Sequence, residues 1–242
     1  MREFKILLSL ILLTTLSAFA QSPKTYLIVH GAFGGGYAWK KVDSLLTARG
    51  NKVYRPTLTG LGERYHLASS EVDLSTHVAD IVNVILFEDL HNIVLVGHSY
   101  GGMVVTGVAD SLPDRTAQIV YIDAHIAEDR KSAFDLRVGG TDLLKYEKDG
   151  MLIPPFVADS ESFPHNVPQS VATLTERRPL RRPHPRNGKY ILTVDDPQKP
   201  EADAFYQYEK VAKDLGWQTY RLTADHNPQN SKPEDLVKLL QE

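Results

Sequence analysis

The stretch that most constrains the fold of this chain runs through residues 92–106. An apolar run of β-formers at 93–96 enters Gly97-His98-Ser99-Tyr100-Gly101, and a helix-compatible segment with Met103 follows. A Gly-x-Ser-x-Gly pattern between a buried strand and a helix is the arrangement known as the nucleophile elbow. The tight turn strains the backbone of Ser99 and exposes its hydroxyl above the sheet, and the glycines permit close backbone approach. The five-residue pattern alone is a weak signal, and the strand before it and the helix after it are what make it specific for this turn.

The rest of the chain alternates between strand-like and helix-like patterns. Continuous apolar runs predict strands at 25–30, 52–54, 93–96, 119–123, 189–194 and 217–222. Helical periodicity lies between them, including a second helix for which Ser75 or Thr76 is the expected N-cap. Strands that are apolar throughout and alternate with helices predict a mostly parallel sheet flanked by helices on both faces. Residues 126–186 break the pattern with many prolines, which predicts a lid-like insertion over the active site.

The first 20 residues have a composition of their own. Arg2 and Lys5 stand near the start, residues 6–13 are strongly apolar, and 18–20 read Ala-Phe-Ala. This pattern predicts a secretory signal peptide over residues 1–20, cleaved before Gln21. The apolar run is short of the roughly 20 residues that cross a bilayer. We therefore expect an exported protein, periplasmic or secreted, with no membrane insertion after signal cleavage and one domain over 21–242.

Composition narrows the classes of partner and chemistry. The chain has 242 residues, 42% of them hydrophobic and 24% charged, which is typical of a soluble globular protein. A formal net charge of −3 gives no indication of nucleic acid as a partner. The absence of cysteine excludes disulfides and a thiolate nucleophile. Glycines 34–36 lack the spacing and the lysine of a phosphate loop, and neither a cofactor nor a metal is expected.

A serine hydroxyl needs a base to remove its proton and a carboxylate to hold that base. On this architecture the expected chain order is serine, acid, histidine. His226 lies in the loop after the last predicted strand, at the sheet edge where Ser99 emerges, and is the predicted base. The backbone N–H groups of Tyr100 and Ala32 are the predicted oxyanion hole. The other histidines, including His98 and His125, have no motif that indicates a catalytic role.

Two positions remain open for the acid. Asp123 ends the strand after the elbow helix, and Asp196 follows the next predicted strand, directly after Asp195. A carboxylate at the mouth of a buried strand is costly unless it is paired. Each position is therefore a candidate on the residues alone.

These motifs resemble the α/β-hydrolase superfamily over essentially the whole chain after residue 20. His30-Gly31-Ala32, the elbow and His226 carry the resemblance. Residues 57–66 and 120–124 are similar to bacterial members of the branch that holds plant methyl-ester esterases and hydroxynitrile lyases. The resemblance implies the α/β-hydrolase fold and a cofactor-independent serine esterase that acts on a small-molecule ester through an acyl-enzyme.

The resemblance also bears on the acid. The plant enzymes carry theirs after the strand corresponding to 190–194, which favours Asp196. Haloalkane dehalogenases carry theirs in a Tyr-x-Glu-Ala stretch similar to 121–124, which favours Asp123. We favour Asp123 and keep Asp196 as the alternative.

Two other positions separate a hydrolase from a lyase. Hydroxynitrile lyases have threonine where Gly31 stands and lysine where Asn227 stands, so ester hydrolysis is the favoured activity. A lyase, or a non-catalytic ligand-binding member of the same fold, is the alternative. Arginines 177, 178, 181, 182 and 186 form either a solvated basic loop or an attractant for anionic substrates.

Overall fold

The computed structural model describes residues 22–136, 142–159 and 164–242. The predicted signal peptide, residues 1–20, and two short parts of the predicted insertion lie outside these ranges. Within them, no helix has both the length and the apolar character needed to span a bilayer.

The helices and strands of the described residues are, in chain order, β1 (Thr25–Val29), α1 (Lys40–Thr47), β2 (Lys52–Tyr54), α2 (Leu74–Phe87), β3 (Ile93–His98), α3 (Gly101–Ser111), β4 (Thr116–Ile122), β5 (Glu147–Lys148), β6 (Met151–Leu152), α4 (Pro155–Ala158), β7 (Gln169–Ser170), α5 (Ala172–Thr175), β8 (Gly188–Val194), α6 (Tyr206–Asp214), β9 (Gln218–Thr223), α7 (Pro228–Ser231) and α8 (Pro233–Gln241).

The main sheet has six strands in the described part of the chain, in the order β2-β1-β3-β4-β8-β9. Each neighbouring pair in it is parallel. Parallel neighbours require crossover connections, and helices supply them here. The predicted parallel sheet flanked by helices is confirmed. Because the strands run the same way, the loops after β1, β3, β4, β8 and β9 meet at one edge of the sheet.

The sheet is covered on both faces, which explains why its strands are apolar throughout. In β1, Leu27 and Val29 pack with α2, α3 and α6 on one face. Tyr26 and Ile28 face the other way and pack with α1 and α8. Fully burying an aliphatic side chain of this size contributes about 1.5–3 kcal/mol. These two apolar layers hold rigid the strands whose ends carry the functional loops.

The N-cap of α2 differs from the expectation. Asp73, not Ser75 or Thr76, caps the helix, and its carboxylate accepts hydrogen bonds from the N–H and the hydroxyl of Thr76, both at 2.7 Å. A carboxylate at this position also interacts favourably with the positive end of the helix dipole. The Ser75 N–H and hydroxyl instead donate to the Glu176 carboxylate, at 2.7 and 2.5 Å.

The predicted insertion contains a small antiparallel sheet of β5, β6 and β7 and the short helices α4 and α5. Its basic stretch is attached to neighbouring elements. Arg177 donates to both oxygens of Asp135 at 2.6 and 2.7 Å, and these bonds hold the pKa of Asp135 well below its usual range. Arg178 donates to the Ser75 hydroxyl at 3.0 Å, and Arg182 donates to the Asp110 carbonyl at 2.5 Å. Arg178 and Arg182 therefore fasten the insertion to the helical layer, whereas Arg177 binds within the insertion.

Candidate active site

Ser99 occupies a strained turn between β3 and α3. Its φ of 53° lies in the left-handed region that favours glycine, and its N–H donates to the Ile122 carbonyl at 3.2 Å. A Cβ at Gly97 would lie 2.8 Å from the Gly101 carbonyl oxygen, and one at Gly101 would lie 2.5 Å from the Val29 carbonyl oxygen. Only glycine fits at both positions, so the sequence pattern and the tight turn require each other.

His226 lies between β9 and α7 and links two other side chains. Its Nε2 is 2.9 Å from Ser99 Oγ, and its Nδ1 is 2.5 Å from Asp123 Oδ2. Asp123 directly follows β4, has a φ of 43° and is buried. Its second oxygen accepts the Thr193 N–H at 3.2 Å. The buried carboxylate is thus paired on both oxygens, as a carboxylate in this position must be to offset its desolvation.

The other aspartate lies elsewhere. Asp196 is exposed, and its carboxylate accepts the N–H of Gln198 at 2.9 Å within its own loop. Among the described residues it forms no hydrogen bond or ion pair with His226. The neighbouring Asp195 is exposed as well.

Two rings fix the orientation of His226. The buried His98 binds the His226 carbonyl oxygen through Nε2 at 2.7 Å. Burial and the nearby His226 lower the pKa of His98 to about 3, so its ring is neutral and Nε2–H donates to the carbonyl. Phe205 stacks on the His226 ring with centroids 5.1 Å apart and planes 6° apart. The sequence pattern gave no signal for either contact, because both depend on how three separate loops meet.

The predicted oxyanion donors lie beside Ser99. A Cβ on Gly31 would lie 3.2 Å from Ser99 Cβ and 3.0 Å from His98 Nδ1, so the loop after β1 lies directly against the elbow. Tyr100 is the N-cap of α3, where backbone N–H groups have no partner within the helix. Within the described ranges, the N–H groups of Ala32 and Tyr100 have no hydrogen-bond acceptor. Two unpaired N–H donors in this position can stabilise a negatively charged oxygen.

The insertion holds the loop after β1 in place. Phe33 has a φ of 63°, and its buried N–H donates to Gln169 Oε1 at 2.7 Å. Its carbonyl accepts the Val167 N–H at 2.9 Å. Both backbone polar groups of Phe33, the residue after Ala32, are therefore bound by residues more than 130 positions away in the sequence. The sequence contained no signal for Gln169, since a single glutamine in an irregular segment has no readable pattern.

A cavity of about 790 Å³ opens over Ser99 and His226. Its volume falls in the range of small-molecule sites. Residues of the predicted insertion supply much of its apolar wall: Ala133, Phe134, Leu143, Phe156 and Leu174. Phe205 and His125 complete the wall beside the histidine. Within the part of the chain that the structure describes, no group of three or more His, Cys, Asp or Glu has an arrangement that could hold a metal ion.

The profile of the alpha/beta hydrolase family matches residues 26–239. This chain therefore belongs to the alpha/beta hydrolase family. Its parallel sheet and the elbow between β3 and α3 agree with that membership.

Curated relatives include esterases from bacteria and plants. A carbendazim-hydrolysing esterase from Nocardioides sp. is 30% identical over 236 residues, which cover 89% of this chain and 97% of that protein. Methylesterase 8 from Arabidopsis thaliana is 30% identical over 166 residues, which cover 65% of this chain and 60% of that protein.

Solved structures share the fold. An extracellular α/β-hydrolase from a Paenibacillus species superposes with a TM-score of 0.73 at 23% identity, covering 90% of this chain and 98% of that one. A pyrethroid hydrolase from Sphingobium faniae superposes with a TM-score of 0.67 at 21% identity, covering 91% of this chain and 96% of that one.

Proposed function

We propose that this protein is a carboxylic ester hydrolase that uses Ser99 as its nucleophile and forms an acyl-enzyme with small-molecule esters. The observation that supports this function best is the hydrogen-bonded series from Ser99 through His226 to Asp123. It lies beside two N–H groups that have no acceptor in the described part of the chain. The esterase relatives support ester hydrolysis as the reaction class. No cofactor is required for this chemistry.

In the proposed first half-reaction, Ser99 Oγ attacks the ester carbonyl while His226 Nε2 takes its proton. Asp123 accepts the Nδ1–H of His226, which keeps the ring in the tautomer whose Nε2 lone pair faces the hydroxyl. The carbonyl oxygen becomes an oxyanion, and the N–H groups of Ala32 and Tyr100 donate to it. The proton then passes from His226 to the leaving alcohol, which departs as the acyl-enzyme forms.

In the second half-reaction, His226 removes a proton from water and the resulting hydroxide attacks the acyl carbon. The same N–H groups stabilise the second oxyanion. Its collapse returns the proton from His226 to Ser99 and releases the carboxylic acid. Asp123 is the acid in this proposal, and Asp196 is the alternative because either loop starts at the same sheet edge.

Local geometry favours a hydrolase over the lyase alternative. Asn227 has a neutral side chain whose oxygen accepts a hydrogen bond from Gln229 Nε2 at 3.1 Å, so it offers no charge to a departing cyanide. A side chain at Gly31 would meet His98 Nδ1 at 3.0 Å, which leaves little room for threonine. A non-catalytic ligand-binding protein would need none of the hydrogen-bonded series.

The test compares wild type with Ser99→Ala on p-nitrophenyl esters of two to eight carbons. We expect a burst of p-nitrophenol in wild type and a loss of at least about 10³-fold in kcat for Ser99→Ala. Ser44→Ala, an exposed serine on α1, is the matched control and should retain wild-type rates. Turnover that survives Ser99→Ala would contradict the serine mechanism.

The alternatives give different results. Cyanide release from cyanohydrins without an acyl intermediate would indicate a lyase. Ligand binding that is equal in wild type and Ser99→Ala, with no turnover in either, would indicate a binding protein.

Two expectations about organisation remain proposals. We propose that residues 126–186 act as a lid, since their described part lines the cavity and binds the loop after β1. We also propose export directed by residues 1–20. Mass spectrometry of protein recovered outside the cytoplasm should give a mature chain that begins at Gln21, whereas an uncleaved cytoplasmic product would contradict export.

A further inference from the structure

His125 lies in the cavity wall beside the proposed catalytic residues. Its backbone N–H donates to the Ser99 carbonyl at 3.2 Å, and its ring lines the cavity. The edge of the ring meets Phe205 with centroids 5.2 Å apart and planes at 74°. Phe205 in turn stacks on His226. The imidazole of His125 is therefore separated from that of His226 by one aromatic ring.

The hydrogen bonds of Tyr208 fix the tautomer of His125. The Tyr208 hydroxyl donates its single proton to the Leu136 carbonyl at 3.0 Å, and a carbonyl oxygen can only accept. His125 Nδ1 lies 3.0 Å from the same hydroxyl and must donate to it. Burial, and then the charge of His226, lower the pKa of His125 to about 4. The ring is neutral near pH 7, and its Nε2 carries a lone pair.

Among the residues that the structure describes, the lone pair of His125 Nε2 has no protein partner. In residues 22–136, 142–159 and 164–242, no donor reaches His125 Nε2. This atom is also not one of the polar atoms that are both buried and unpartnered, so it is open to the cavity. Phe205 packs against the ring, and the apolar part of the cavity wall also includes Phe134 and Leu174. An acceptor of this kind is satisfied only by water or by a ligand group that donates a hydrogen bond.

We infer that His125 is a specificity residue whose Nε2 accepts a hydrogen bond from the substrate. The site would then favour esters that carry a hydroxyl or N–H group close to the reacting carbonyl over the same esters with that group methylated. This inference rests on the proposed ester hydrolysis. Sites that present a fixed polar group discriminate against ligands lacking its partner, because that group is then left unpaired.

The test uses two pairs of esters that differ only in a donor. Methyl mandelate and methyl α-methoxyphenylacetate differ in the acyl part, and 2-hydroxyethyl benzoate and 2-methoxyethyl benzoate differ in the alcohol part. For wild type we expect kcat/KM for the hydroxyl member of at least one pair to exceed that of the methoxy member by roughly tenfold, the value of one neutral hydrogen bond. His125→Phe keeps an aromatic ring without the acceptor and should reduce that preference to the ratio of the uncatalysed rates.

Two further variants complete the design. His125→Gln can donate to Tyr208 or present its amide oxygen to the cavity, and it should restore a substantial part of the preference. His91→Phe replaces an exposed histidine far from the cavity and should leave the ratio of each pair unchanged. Thermal unfolding of each variant checks its folding, and ratios measured within one variant are independent of the fraction that is active.

The outcomes separate the two levels of inference. The decisive quantity is the ratio of kcat/KM for the hydroxyl ester to kcat/KM for the methoxy ester. If this ratio agrees within about twofold between wild type, His125→Phe and His125→Gln for both pairs, the role of His125 is overturned while ester hydrolysis stands. An equal change of ratio in His91→Phe would overturn it too. If wild type hydrolyses none of the four esters and no p-nitrophenyl ester, ester hydrolysis fails and the role of His125 fails with it.

Discussion

Replacing Gln169 with methionine should slow catalysis although this residue does not contact the reacting atoms. Gln169 is buried in β7, and its Oε1 accepts the N–H of Phe33 at 2.7 Å. Phe33 directly follows Ala32, one of the proposed oxyanion donors. Methionine has a similar length and no hydrogen-bonding amide, so the Phe33 N–H loses its acceptor while the packing volume is nearly kept.

The expected losses of stability and of kcat follow from the hydrogen bonds that Gln169→Met removes and those that it leaves in place. An unpaired buried N–H costs about 1–3 kcal/mol, and we expect a stability loss near 2 kcal/mol, which is about 4–8 °C in Tm for a domain of this size. The Phe33 carbonyl keeps its bond from the Val167 N–H at 2.9 Å, so the loop is loosened and not released. Complete removal of an oxyanion donor costs about 10²–10³ in kcat. Gln169→Met should therefore lose roughly tenfold in kcat, with a smaller change in KM.

The assay is steady-state hydrolysis of a p-nitrophenyl ester, together with thermal unfolding, and Ser170→Ala is the matched control. Ser170 is the adjacent buried residue, and its hydroxyl donates to the Ser70 carbonyl at 3.0 Å, away from the loop after β1. Its removal should lower Tm by a similar amount and leave kcat within about twofold of wild type. Equal losses of kcat in the two variants would refute the reasoning, because general destabilisation of the insertion would then explain both.

Two further predictions concern the acid and the pH range of stability. Asp123→Asn should lower kcat by about 10³–10⁴-fold with its Tm little changed, whereas Asp196→Asn should stay within about twofold; the opposite ranking would make Asp196 the acid. Burial lowers the pKa of His30 and His125 to about 4 and that of His98 to about 3, against 6.5 for an ordinary histidine. Between the two pKa values the unfolded chain binds more protons than the folded protein, so acid favours unfolding. The contribution of these histidines to stability is complete above pH 6.5 and is lost as pH falls from 6.5 towards 4. The loss is on the order of 2 kcal/mol for each histidine at pH 5. Urea unfolding at pH 8, 6 and 5 measures this loss, and a free energy of unfolding that is constant over this range would contradict it.

The fold was predictable because its determinants are local and repeated. Each strand of the main sheet is an apolar run, and each long helix has its own periodicity, so the sheet and its helical layers follow from patterns of a few residues. The elbow was predictable for the same reason, since Gly97, Ser99 and Gly101 are adjacent in sequence. The cap of α2 was not, because Asp73, Ser75 and Thr76 are all good capping residues and only the tertiary partner of Ser75, Glu176, separates them.

The acid shows where local patterns stop being informative. Strands β4 and β8 are neighbours in the sheet, so Asp123 and Asp196 follow strands that end at the same edge. Both are aspartates, and either carboxylate has the chemistry needed to hold the histidine. They differ in the turn that follows each strand. Asp123 adopts a left-handed φ of 43° and lies 2.5 Å from His226, whereas Asp196 lies one residue further into an exposed loop. The identity of an aspartate does not encode that backbone difference, so the two positions look alike in the sequence.

The same limit applies more strongly to the residues that support the site. His98 binds the His226 carbonyl, Gln169 binds the Phe33 N–H, and His125 donates to Tyr208. Each of these bonds joins segments far apart in the chain, and each side chain could equally have been a buried polar residue of the core. What separates them from such residues is the identity of the partner: each is bonded to, or lies beside, a group that the proposed mechanism uses. The prediction for Gln169 therefore tests more than one hydrogen bond, because it asks whether a distant bond to the backbone can limit the chemistry at Ser99.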